Sequence, residues 1–144
     1  MFSKACEYAI RASIYIARQS MTDKRASLID ISQEIASPVS FTSKILQQLV
    51  KAGVIYSIRG QNGGFGIDAA ARSTKTIANI VTAIDGDAIF IDCGLGLKEC
   101  SSTQPCPIHQ KFIGIRNELK LVLDSTSIEE VALGLKDGET YLKR

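Results

Sequence analysis

The hexapeptide Arg59-Gly60-Gln61-Asn62-Gly63-Gly64 lies between Val54 to Ile58, which is β-branched and aromatic, and the returning segment Phe65 to Ile67. Four of its residues tolerate positive φ, so the chain reverses here and the two flanks read as a β-hairpin. A phosphate-cradling glycine loop is excluded by the strand on its far side. Such loops run from a strand through the glycines into a helix whose dipole faces the phosphate, whereas these glycines join two strands.

The residues before the hairpin decide what the hairpin belongs to. From Ser3 to Arg18, Cys6, Ile10, Ile14 and Ala17 recur at helical spacing, widened by Tyr8, Tyr15 and Ile16. After the polar turn Thr22 to Arg25, Ser27 caps a short helix with Leu28, Ile31 and Ile35 on one face and Asp30 in its first turn. Pro38 disfavours helix at Ser37. Ser40 then caps a third helix with Ile45, Leu46, Leu49 and Val50 inward, ending at Gly53. Two short helices across a tight turn form a helix-turn-helix, and a hairpin directly after it reads as a wing. Charge agrees: residues 1–66 hold eight Lys or Arg against four Asp or Glu, while residues 67–144 hold nine against eleven. The basic half is the half with the reader fold.

A second pattern lies further along. Cys93, Cys100, Cys106 and the chain's single histidine, His109, fall within seventeen residues as C-x6-C-x5-C-x2-H. Thiolate and imidazole are the donors zinc and iron–sulfur clusters prefer, and the intervening Gly, Ser, Thr and Pro let one segment curl around them. The sequence lacks a membrane-length apolar run and a signal-peptide pattern in its first twenty residues, which places the protein in the cytoplasm. In that reducing compartment clustered thiols read as ligands or redox groups rather than disulfides. Cys6, on the apolar stripe of the first helix, reads as core.

Between these features, Ile77, Ile80, Val81 and Ile84 predict a supporting helix over Thr76 to Ile84, closed by Asp85-Gly86. Pro107 suits the first turn of a longer helix whose Ile108, Phe112, Ile115, Leu119 and Val122 step by four, three, four and three. That seam suits packing against a second long helix, hence a dimer interface. Ser127 to Glu130 forms a capping box before a short final helix, Val131 to Leu135. The expected class is mainly α with a small β-hairpin wing. The expected organisation is a winged helix-turn-helix over 1–70, a supporting helix and connector over 71–91, a Cys-rich loop over 92–107, and a dimerisation helix with a short C-terminal helix over 107–144.

The stretch from Phe41 through Arg59-Gly-Gln-Asn-Gly-Gly-Phe65, with the cysteine loop beyond it, resembles the Rrf2 family of bacterial winged-helix regulators along nearly the whole chain. The resemblance implies a homodimeric transcription factor, commonly a repressor, on a dyad-symmetric operator, with affinity set by an iron–sulfur cluster that senses iron, redox state or nitric oxide. It implies Cys93, Cys100 and Cys106 as ligands. For the fourth, His109 matches one branch of the family and Glu7, supplied by the partner subunit, matches another. The first cysteine gap is one residue longer than in several members, which leaves cluster type open, with 2Fe–2S ahead of 4Fe–4S. Zinc in a closed Cys3His site, or a cluster-free thiol switch, is the alternative. An enzyme is disfavoured because no C-x-x-C and no second acid–base group accompany the thiols.

Side-chain chemistry nominates the DNA contacts. With the apolar face of the third helix inward, Ser40, Thr42, Ser43, Lys44, Gln47 and Gln48 remain on its leading and outer surface. Lys44 and Gln47 are the leading candidates, Gln47 suits adenine, and Ser40 and Thr42 near the helix start suit phosphate oxygens. Ser57, Arg59 and Gln61 come from the wing, and the family resemblance implies that Arg59 enters the minor groove.

Overall fold

The computed structural model describes residues 1–136, 138 and 140–143. Its elements are α1 (Lys4–Ser20), α2 (Leu28–Glu34), α3 (Val39–Lys51), β1 (Tyr56–Ile58), β2 (Gly64–Gly66), α4 (Ala69–Thr74), α5 (Ile77–Asp85), α6 (Ala88–Ile91), α7 (His109–Ser125) and α8 (Ile128–Lys136).

The fold is built around α1. Ser3 caps it by accepting from the Cys6 backbone N–H at 3.1 Å, and Glu7 complements the dipole in its first turn. Ala9, Ala12 and Ala17 are fully buried. Small side chains there let neighbouring backbones approach, and α2, α3, α5 and α8 all pack against this one helix. Ile31, Ile45, Leu46, Leu49, Ile80, Val81 and Ile128 complete a single core from those elements. Each such side chain contributes about 1.5–3 kcal/mol by leaving water.

Several boundaries differ from the sequence reading. Pro38, at φ −55°, caps α3 without a side-chain hydrogen bond, so Ser40 sits inside the first turn rather than at the cap. Val54 and Ile55 are buried in the core and precede β1 instead of opening it. The returning strand is Gly64–Gly66, registered as Tyr56↔Gly66, Ser57↔Phe65 and Ile58↔Gly64. Ala26 pairs with Phe65 on the other edge by two backbone bonds of 3.0 and 2.8 Å, giving the wing a one-residue third strand. The glycines follow from that closeness. A Cβ on Gly63 would lie 2.1 Å from the Ile58 carbonyl oxygen, and one on Gly64 would lie 2.8 Å from the Ala26 oxygen, at a φ of +129°.

Two short helices lie where the sequence reading placed connectors. Asp68 caps α4 by accepting from the Ala71 N–H at 2.8 Å, a local signal that Asp-Ala-Ala-Ala carries; α6 is four residues long. Thr76 and Asn79 form the capping box of α5, and the connectors before α5 and α8 pair through Ile77 N–H to Thr126 O and Ile128 N–H to Lys75 O, both 3.0 Å. The last helix begins at Ile128, directly after its Ser127 cap, rather than at Val131. The long helix begins at His109, two residues past Pro107. On it Leu123 is buried and Phe112 and Leu119 are half-buried, while Ile115 and Val122 are 62% and 58% exposed. No helix among the described residues is long and apolar enough to cross a membrane.

Candidate nucleic-acid interface and metal centre

α3 and the wing form the two walls of one cleft of about 600 Å³, lined by Ser43, Gln47, Ser57, Arg59 and Gln61 together with Ser27 and Lys51. Five of the nine residues nominated for the DNA surface therefore share one cleft. No carboxylate lines it among the described residues, so Arg59 and Lys51 leave it positive. Ser43 Oγ accepts from Gln47 Nε2 at 3.4 Å across one helical turn. Ser40 and Lys44 are exposed on α3 outside the cleft lining.

Thr42 is a correction. Its side chain is fully buried and its hydroxyl donates to the Pro38 carbonyl at 3.0 Å, so it cannot reach a phosphate. The helical stripe sets this: with Ile45, Leu46 and Leu49 inward, position 42 lies three and four residues before Ile45 and Leu46 and turns the same way. Arg25 has a role that charge alone did not specify. Its Nε and Nη2 donate to the Asn62 carbonyl at 3.1 and 2.8 Å, tying the wing tip to the connector before α2.

The cysteine loop spans the gap between α6 and α7. Cys93 Sγ lies 3.9 Å from Cys106 Sγ, and Cys100 Sγ lies 3.5 Å from His109 Nδ1. Two donors on one tetrahedral metal are separated by about 3.8 Å for sulfur–sulfur and about 3.6 Å for sulfur–nitrogen, given bonds of about 2.3 and 2.05 Å. Each pair is thus set at a shared-metal spacing, and the residues present fit such a group. His109 is buried, and its Nε2 has no partner among the described residues. Three or more His, Cys, Asp or Glu side chains do not converge on one point among the described residues. Hydrogen bonding of the Cys93 sulfur to the backbone at Leu95 and Leu97 holds its pKa below the ordinary thiol value; Cys106 and the Arg116 guanidinium add to this and burial opposes it.

Glu7 stands apart from this set within one chain. Its carboxylate pairs with Lys4 Nζ at 3.1 Å and makes no hydrogen bond to the loop among the described residues. Cys6 is fully buried, and burial first, then the Asp85 carboxylate, pushes its thiol up to about 12. A thiol held neutral in this way is core, as its place on the helical stripe indicates.

The model of the Rrf2 family, described as iron-dependent transcriptional regulators, matches residues 2–133. The chain belongs to the Rrf2 family. This Rrf2 protein is 29% identical over 134 residues to an HTH-type transcriptional regulator of Aquifex aeolicus, covering 91% of this chain and 90% of that one. It is 26% identical over 132 residues to the HTH-type transcriptional regulator IscR of Vibrio campbellii, covering 92% and 75%. Among solved structures, CymR, the global cysteine regulator of B. subtilis, shares the fold at a TM-score of 0.75 and 22% identity over 92% of this chain and 96% of that one. T. potens IscR does so at 0.74 and 16%, over 99% and 93%. The Rrf2 chain is therefore a winged-helix transcriptional regulator that binds DNA, not an enzyme.

Proposed function

We propose that this Rrf2 protein is a cytoplasmic homodimeric repressor whose affinity for a dyad-symmetric operator is controlled by an iron–sulfur group held by Cys93, Cys100, Cys106 and His109. The observation that carries the reading is the division of those donors into two pairs, Cys93 with Cys106 and Cys100 with His109, each at a shared-metal spacing. Two protein ligands on each of two irons is the arrangement of a 2Fe–2S group, whereas one structural zinc needs all four donors around a single point. The family's description as iron-dependent supports the same choice. Such a group supplies one-electron redox chemistry and a bond set sensitive to oxidants and iron supply.

The chain's own residues do the rest. Ser43, Gln47, Ser57, Arg59 and Gln61 face DNA from the cleft, with Ser40 and Lys44 on backbone phosphates beside it. Exposed Ile115 and Val122, two turns apart on α7, form the seam for a second copy. Because the ligand loop runs directly into α7, rearranging its donors shifts that seam and with it the spacing of two readers that must match half-sites about 34–36 Å apart. The partner subunit's Glu7 is the alternative fourth ligand.

Anaerobic reconstitution with iron and sulfide tests the reading, followed by visible absorption, iron and sulfide analysis and operator mobility shifts before and after chelation. The expected result is a coloured protein with two irons per chain whose operator affinity changes on chelation. A colourless protein with one zinc per chain refutes the cluster and selects the zinc alternative. Loading lost in His109→Ala but kept in Glu7→Ala assigns the fourth ligand to the imidazole.

A further inference from the structure

One cationic side chain holds both the start and the middle of the ligand loop. Arg116 Nη2 lies 3.1 Å from Cys100 Sγ, and Nη1 donates to the Asp92 carbonyl, the residue just before Cys93. Arg116 follows His109 by seven residues, two turns along α7, so both project from one face of the helix toward the loop. Cys100 thus sits between the imidazole and the guanidinium.

The guanidinium's surroundings are uncommon. Arg116 is half-buried, its Nε is buried without a partner, and it enters no salt bridge among the described residues. Withdrawing a guanidinium from water is costly unless it meets negative charge. The acceptors it meets are a carbonyl oxygen and a cysteine sulfur. A cysteine sulfur that ligates a metal supplies the negative charge that such a placement calls for.

We propose that Arg116 is a positioning residue for the metal centre, donating a hydrogen bond to the Cys100 sulfur that both fixes the 92–100 segment on α7 and raises the reduction potential of the group held there. This rests on the iron–sulfur reading of the loop. With an iron–sulfur group held there, an external one-electron reductant would add one negative charge, shared by the ligand sulfurs of which Cys100 Sγ is one, and no protein bond would be broken. An N–H and a fixed positive charge at one of those sulfurs stabilise the reduced form more than the oxidised form.

The test compares Arg116→Lys, Arg116→Gln and Arg116→Met with the unsubstituted protein after anaerobic reconstitution, titrating each with dithionite in the presence of mediators and following visible absorption. At the potential that half-reduces the unsubstituted protein, Arg116→Met is expected to show at least a threefold lower ratio of reduced to oxidised form. Arg116→Lys, which keeps the charge, is expected to lie closer to the unsubstituted value. Identical midpoints in all variants overturn the electronic role. In metal-free protein, hydrogen exchange over residues 92–100 is expected to be faster in the Gln and Met variants, and unchanged exchange overturns the positioning role. Failure of the unsubstituted protein to load iron overturns the iron–sulfur reading instead, and the exchange arm then decides Arg116's hold on the loop by itself.

Discussion

Replacing Gly63 with alanine attacks the wing at its tightest point. The new Cβ would lie 2.1 Å from the Ile58 carbonyl oxygen and 2.9 Å from two further backbone atoms, Arg59 C and Gly60 O. Ordinary contact begins near 3.4 Å, so the turn must open by about 1.3 Å, and none of the obstructing atoms is a flexible side-chain end. The least costly escape gives up the Gly63 N–H to Gly60 O bond of 3.0 Å and the two Arg25 bonds to Asn62 O. Three partly exposed hydrogen bonds at about 0.5–1 kcal/mol each give a loss of about 1.5–3 kcal/mol. That is well below the roughly 7–20 kcal/mol expected for a chain of this size, so the protein stays folded. Its melting temperature should fall by about 3–12 °C. Arg59 and Gln61 lose their placement, and operator binding should weaken about 5- to 150-fold. Chemical denaturation, hydrogen exchange over residues 56–66, and fluorescence anisotropy on a duplex selected from a random library measure the three effects. Gly114→Ala on α7 is the control, since a Cβ there meets nothing within 4 Å and should leave stability unchanged or slightly raised. Unaltered wing protection together with a stability change under about 0.5 kcal/mol in Gly63→Ala would refute the steric reasoning.

Thr42→Val keeps the shape of a buried side chain and removes one intrahelical hydrogen bond, so a cost of about 0.5–1.5 kcal/mol with operator affinity unchanged is expected; a selective loss of DNA binding by anisotropy at intact stability would return Thr42 to the interface. Cys6 is raised in the fold from 9.0 to about 12, so its neutral form contributes stability that is fully present below pH 9 and is lost as pH rises toward 12. Urea denaturation should therefore show the unsubstituted protein losing about 1.4 kcal/mol per pH unit relative to Cys6→Ala across that window, about 4 kcal/mol in all, and parallel curves would refute the assignment. Ile115→Asp combined with Val122→Asp places two charges on the exposed stripe of α7 and should convert the proposed dimer to monomer in sedimentation velocity with α-helical content unchanged; a dimer undisturbed by the two charges locates the interface elsewhere, and a monomer before substitution refutes the proposed dimer.

The winged helix is legible in the chain because its signals are local. Ser3, Ser27 and Ser127 each cap a backbone N–H three residues on, and the inward positions of α1, α3 and α5 recur at helical spacing. The cysteine and histidine spacing names the donor types by the same kind of short-range count. The readings that failed concern edges and faces. Pro38 took the cap that Ser40 was expected to supply, and Val54 and Ile55, β-branched and so strand-like, were drawn into the core by burial.

What the sequence by itself determined is therefore the six helices other than α4 and α6, the hairpin with its glycine turn, and the thiol and imidazole candidates of the loop, since each depends on residues within a few positions of one another. Tertiary structure decided which of those residues face one another. Thr42 turned inward because α3 must bury one stripe against the core. The wing is held by Arg25, thirty-seven residues from Asn62, and Cys100 by Arg116, sixteen residues away on the next helix. The loop's side chains pair as Cys93 with Cys106 and Cys100 with His109 rather than by neighbours in sequence. Contacts of that kind are fixed by how α6 and α7 pack, and packing depends on the whole core, which no short stretch of chain encodes.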